Sequence, residues 1–195
     1  MKTTNIMIVG VGGQGTLLTS KILGNAAIAA GFDVKVSEVH GMSQRGGSVV
    51  TYVRYGEEVY SPVIGLGEAD LLLAFEPLEA ARALSYLKPD GVLVTNTKKI
   101  DPMPVIAGAM EYPDDVLQKI KAQNVNLKAF DALALAKDAG NEKTLNVVLV
   151  GYLSTLGFFE ESVLKDALRA CVPEKLCEVN ARAFELGKQA KTLEF

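Results

Sequence analysis

The chain has few of the residues on which most metal, redox and acid–base chemistry depends. Its 195 residues include two cysteines, one histidine and no tryptophan. Cys171 and Cys177 lie close together near the C-terminus. Their spacing matches no zinc or iron–sulfur ligand set, and a four-cysteine cluster cannot be built from two. They are expected to be reduced and mostly packed thiols, and no metal is expected on this chain. His40 stands alone, which leaves no His–Asp pair to draw on. Positive charge is also scarce: 20 Lys and Arg face 23 Asp and Glu, for a net charge of −3 and a pI near 5.3. Without a basic field to release counterions from phosphates, no nucleic-acid partner is expected. Long apolar runs are missing as well. The N-terminal run "NIMIV" meets glycines after about five residues, too few for a signal peptide. "LNVVLVGYLSTLGFF" (145–159) is shorter than the ~20 residues of a membrane span and contains Asn146, Ser154 and Thr155. The expectation is a cytoplasmic protein with no membrane partner.

What is present is a hydrophobic fraction of 49 % with 22 % charged residues, the balance of a globular protein. The length suits a single domain over 1–195, with a helical tail over 160–195. A mean hydropathy of +0.20 suggests more apolar surface than one core absorbs, as a large partner interface would require.

Along the chain the pattern alternates between strand and helix. "NIMIV" reads as a buried strand, the run after Gly15 as a helix stopping at Gly31, and "DVKVSEVHG" as a second strand. "GGSVVTYVRYGEEVYSPVI" alternates on both sides of Gly56-Glu57 and predicts an antiparallel hairpin. "ADLLLAFEP", "GVLVTNT" and "NLKAF" read as further strands, "LEAARALSYL" and "DDVLQKIKAQN" as helices. From Asp131 onward the chain reads as helical, with Leu145 to Phe159 as core or interface and "EKLCEVNARAFELGKQAK" as a solvated face. Met103 and Met110 read as core gap-fillers. The expected fold is α/β: a Rossmann-like, doubly wound, mostly parallel sheet with a β-hairpin insertion and a C-terminal helical tail.

Two loops carry candidate chemistry. Gly10, Gly12 and Gly15 satisfy G-x-G-x-x-G between a predicted strand and a predicted helix. The backbone N–H groups of Gly12, Gly13, Gln14 and Gly15, with the hydroxyl of Thr16, could meet a phosphate at the helix N-terminus. NAD(P), another phosphate-bearing ligand and a purely structural turn all remain open; Glu38 is the acidic residue an NAD reading would use. The second loop, in "SEVHGMSQRGGSVVTYVRYG" (37–56), gathers Glu38, His40, Ser43, Gln44 and Arg45, with Gly46 and Gly47 behind them. It follows the second strand, where open α/β sheets place ligands. Its bland reading is a sharp reversal into the hairpin with Arg45 solvated.

"VGVGGQGTLLTSKILG", "SEVHGMSQRGGSVVTYVRYG" and "ADLLLAFEPLEAAR", in this order and spacing, resemble the gamma domain of the 2-oxoacid:ferredoxin oxidoreductases from Asn5 to about Gly157. The form "HGMSQRGGSV" is most similar to small (beta) subunits of the family's indolepyruvate branch. The resemblance implies a subunit that is inactive alone. The family oxidatively decarboxylates 2-oxoacids to acyl-CoA and reduces ferredoxin. Thiamine diphosphate, Mg2+ and 4Fe–4S clusters sit on a large partner subunit, and ferredoxin is met only indirectly. This sequence has no Gly-Asp-Gly…Asn diphosphate motif, in keeping with that division. On this reading Gly12–Thr16 contacts coenzyme A phosphates or the partner. The loop from Glu38 to Gly47 faces the partner's active site, with His40 and Arg45 as candidate catalytic groups. The alternative is a stand-alone NAD(P)-binding oxidoreductase or a nucleotide-sensing module.

Overall fold

The computed structural model describes residues 3–38 and 47–194. Its centre is a six-stranded mixed sheet of β1 (Thr4–Val11), β2 (Asp33–Glu38), β3 (Ser48–Gly56), β4 (Ala69–Ala74), β5 (Leu87–Asn96) and β6 (Asn126–Phe130), in the order β2-β3-β1-β4-β5-β6. The ladders β1–β4, β4–β5 and β5–β6 are parallel. β3 runs antiparallel between β1 and β2. The helices are α1 (Thr16–Ala29), α2 (Pro77–Ala83), α3 (Met103–Ile106), α4 (Val116–Lys121), α5 (Ala132–Ala139), α6 (Leu145–Leu153), α7 (Glu161–Cys171) and α8 (Cys177–Lys188).

The continuous apolar runs of β1 and β4 follow from cover on both faces. Ile6, Ile8, Leu71 and Leu73 pack with α1, α5, α6, α7 and α8. Their sequence neighbours Met7, Val9, Leu72 and Ala74 pack with α2 and α4. Alternate residues of one strand therefore feed two cores, each fully buried side chain contributing about 1.5–3 kcal/mol.

The α/β class and the antiparallel insertion agree with the sequence reading, but the hairpin does not have the arms expected of it. Only the residues up to Gly56 form a strand. Residues 57–68 are held by side chains instead: the Arg54 guanidinium donates to the carbonyls of Ser61 (2.9 Å) and Val63 (2.7 Å), and the Val59 N–H donates to Asp33 (2.8 Å). Pro62 has no N–H to give a ladder, and all eight residues of β1 already pair with β3. The antiparallel partners of β3 are thus β1 and β2.

The region expected to be a tail is part of the main core. Leu164, Leu168, Ala183 and Phe184 are buried with the sheet, and α8 crosses α6 at contact distance. A Cβ on Gly151 would lie 2.1 Å from the Phe184 carbonyl oxygen, and one on Gly187 1.9 Å from that of Val148. Met103 and Met110 correct the gap-filler reading. They stand 66 % and 65 % exposed on the proline-rich segment after β5, where no second layer covers them. Among the described residues no helix is long and apolar enough to cross a membrane.

Candidate functional site at the carboxyl edge of the sheet

The chain leaves β1 through α1 toward β2 on one side and leaves β4 through α2 toward β5 on the other. Such a reversal opens a crevice at the carboxyl ends of the two strands, and the glycine loop lines it. Gly13 and Gly15 adopt φ of 95° and 90°, left-handed conformations that favour glycine, and Gly15 caps α1. Gly10 serves close approach, since a Cβ there would lie 3.0 Å from Phe75 Cβ.

Gln14 fixes the turn with its side chain. Its Oε1 accepts from the Val11 N–H (2.7 Å) and its Nε2 donates to the Phe75 carbonyl (3.1 Å), joining β1 to the end of β4. The same carbonyl accepts from Asn96 Nδ2 (3.3 Å), and Asn96 Oδ1 accepts from the Ala132 N–H (3.0 Å). Two side-chain amides thus stitch the carboxyl edges of four strands.

Further bonds take up two of the loop's amides. The Gly12 N–H donates to the Gly47 carbonyl at 2.9 Å, and the Gln14 N–H to the Val11 carbonyl at 3.3 Å. Among the described residues the amides of Gly13, Gly15 and Thr16 make no such bond. They border a cavity of about 290 Å³ that Leu17 and Val49 also line. Glu38 ends β2 and accepts a 2.5 Å hydrogen bond from the Ser20 hydroxyl on α1. With β3 interposed, Glu38 lies two strands from β1, whereas a dinucleotide's ribose is held from the strand adjacent to the glycine-loop strand. His40, Ser43, Gln44, Arg45 and Gly46 lie outside the described residues; Gly47 is the end of that loop which the structure places.

On the other wall stand two glutamates that sequence reasoning passed over. Glu76 and Glu79 are 1 % and 5 % exposed. Glu76 caps α2 by accepting from the Glu79 N–H (3.0 Å), and its other oxygen accepts from the Tyr112 hydroxyl (2.5 Å). Burial, with the Glu76 carboxylate beside it, holds the Tyr112 phenol well above its usual range. Glu79 accepts from Ser48 Oγ (2.5 Å) and from Arg82 (2.7 Å). The signal was present in the sequence: an acidic residue directly before a proline marks a helix start that its side chain can cap. Together with Pro102 and Met103, the residues Ser48, Glu76, Glu79 and Arg82 line a second cavity of about 280 Å³.

Among the described residues no histidine stands beside the Ser48–Glu79 pair to activate the serine. The described residues are equipped to bind and orient. They define a Rossmann-like α/β fold whose glycine turn borders a cavity at the N-terminus of α1.

The family model for pyruvate ferredoxin/flavodoxin oxidoreductase matches residues 5–190, and the chain belongs to that family. The match runs through α7 and α8, beyond the Gly157 limit of the motif resemblance. The chain is 51 % identical to indolepyruvate oxidoreductase subunit IorB of Thermococcus kodakarensis, over 97 % of this chain and 96 % of that one. It is 47 % identical to the IorB subunit of Pyrococcus horikoshii over the same shares. The keto/oxoacid ferredoxin oxidoreductase gamma subunit of Geobacter sulfurreducens superposes with a TM-score of 0.75 at 26 % identity, covering 97 % of this chain and 96 % of that one.

Proposed function

We propose that the chain is the small, non-cofactor-bearing subunit of an indolepyruvate:ferredoxin oxidoreductase. In that reaction an aryl pyruvate and coenzyme A give an arylacetyl-CoA and CO2, and two electrons pass to ferredoxin. The end-to-end likeness to indolepyruvate oxidoreductase subunits carries this reading. The stand-alone NAD(P) alternative has no comparable support, and the interposed β3 argues against it.

The described residues do not fit a thiamine or iron–sulfur site. Cys171 accepts from Asn25 Nδ2 (3.2 Å) and Cys177 faces the Pro173 carbonyl (3.7 Å), both as free thiols. Among the described residues no group of three or more His, Cys, Asp or Glu is suited to a metal. Thiamine diphosphate, Mg2+ and the clusters are therefore assigned to a larger partner subunit, through which ferredoxin is reached. This chain offers the coenzyme A phosphates the amides of Gly13, Gly15 and Thr16 at the N-terminus of α1. The loop that carries His40 and Arg45 is assigned to the partner's active site.

The test is isolation of the chain from its native host without oxygen. A brown complex with a large cysteine-rich subunit that reduces ferredoxin when given indolepyruvate and coenzyme A is expected. A colourless chain that comes down alone and binds NAD overturns the reading.

A further inference from the structure

The third stretch singled out in the sequence, "ADLLLAFEPLEAAR", has no part in the function proposed above, yet it supplies two buried carboxylates to the crevice. We propose that Glu79 is a positioning residue for the glycine loop, acting through Ser48 and Gly47 on Gly12. The proposal rests on the reading that this loop receives the coenzyme A phosphates.

The Glu79 carboxylate is fixed from several sides. Its N–H is held by Glu76 Oε2 (3.0 Å), one oxygen accepts from Arg82 (2.7 Å) and the other from Ser48 Oγ (2.5 Å). Glu76 is itself held by the Tyr112 hydroxyl. Ser48 pairs with Val11 at the last rung of the β1–β3 ladder. The residue before it, Gly47, accepts the Gly12 N–H at 2.9 Å. A carboxylate at the start of α2 thereby sets the direction of one amide at the start of α1. With Gly12 turned toward Gly47, the chain reaches Gly13 and Gly15 in the left-handed conformations that bring the next amides to the cavity.

Ser48 is exposed, so its hydroxyl adds little to the burial that stabilises the fold. Its charge-assisted bond to Glu79 is a local constraint. Removing it is expected to change the loop's geometry more than the stability of the chain.

The first measurement is hydrogen exchange of the Gly12 amide in the full chain by NMR. Ser48→Ala is expected to accelerate that exchange about tenfold, the effect of losing one hydrogen bond to a charged group. Ser48→Thr, which keeps a hydroxyl, restores protection. Glu79→Gln keeps an acceptor for Ser48 and retains most of it, where Glu79→Ala risks misfolding around Arg82. In the complex with the large subunit, Ser48→Ala is expected to raise the KM for coenzyme A about three- to tenfold. The KM for the 2-oxoacid stays as in the wild type, and Ser48→Thr reverses the change. Unchanged Gly12 exchange in Ser48→Ala overturns the relay. Faster exchange with an unchanged coenzyme A KM makes the contact merely structural and overturns the positioning role. A wild-type complex whose turnover ignores coenzyme A overturns the underlying reading of the loop, and this is visible before any variant is made.

Discussion

At the residue scale, the glycine loop is shaped as much by Gln14 as by its glycines. A glycine permits a turn, but it does not choose among the conformations it permits. Gln14 supplies the choice, because its amide presents an acceptor to the Val11 N–H and a donor to the Phe75 carbonyl at once. Glutamate has the same shape and only acceptors at neutral pH. Gln14→Glu should therefore keep the bond to Val11 and set a carboxylate oxygen against the Phe75 carbonyl. A loss of about 1–3 kcal/mol is expected, read as a lower urea midpoint with an unchanged slope. Full stability in Gln14→Glu would mean that the glycines alone determine the turn. By the same logic the amides of Gly12 and Gln14 are taken up within the protein, by the Gly47 and Val11 carbonyls that fix the loop.

At the element scale, the strands and helices with a local signal were legible and the pairings between distant strands were not. "NIMIV", the glycines and the helical run behind them declare β1, the turn and α1 through periodicity and turn chemistry. "GGSVVTYVRYGEEVYSPVI" declares a strand before Gly56 but not its partner. Alternation continues past Gly56, and nothing local reports that β1 pairs along its whole length with β3. The apolar run of α6 marked a buried helix without saying what buries it. In the structure α6 is enclosed by the sheet and by α8. The helices approach so closely at Gly151 and Gly187 that a Cβ would meet a carbonyl oxygen at about half the normal contact distance. Gly187→Ala should separate α8 from α6 and cost about 3 kcal/mol, lowering Tm by roughly 6–12 °C. Gly140→Ala, on a residue at a helix end with only a distant neighbour, tests conformational strain without that clash and should cost about 1 kcal/mol. Equal losses at the two sites would refute the close-crossing account. As for the candidate site, its glycine turn was legible because the strand–turn–helix glycines have a spacing. Its glutamate half was missed because Glu76 and Glu79 read as ordinary helix-start residues until the fold buries them.

At the scale of the whole molecule, the sheet and the helical layer are joined through Tyr55. It rises from β3, stacks against Phe32 and Phe159 at centroid distances of 5.4 and 4.8 Å, and donates to the Phe158 carbonyl at 2.8 Å. Burial pushes its phenol up from 10.0 to about 12, because the charged form has no water there. In the unfolded chain the same phenol titrates near 10. Below that pH both states keep the proton and the contribution to stability is complete. Above it the unfolded chain loses the proton first, so the contribution disappears as the pH rises from about 10 through about 12. The loss approaches about 2–3 kcal/mol. Tyr55→Phe should start about 1 kcal/mol less stable at neutral pH for want of the Phe158 bond. It should then lose correspondingly less in the alkaline window, with the other raised phenols, Tyr52, Tyr60, Tyr112 and Tyr152, contributing to both proteins alike. Urea unfolding of the two chains at pH 9, 10, 11 and 12 measures the difference. Parallel curves would mean that water reaches Tyr55 in the folded state and that the two layers are held together by packing alone.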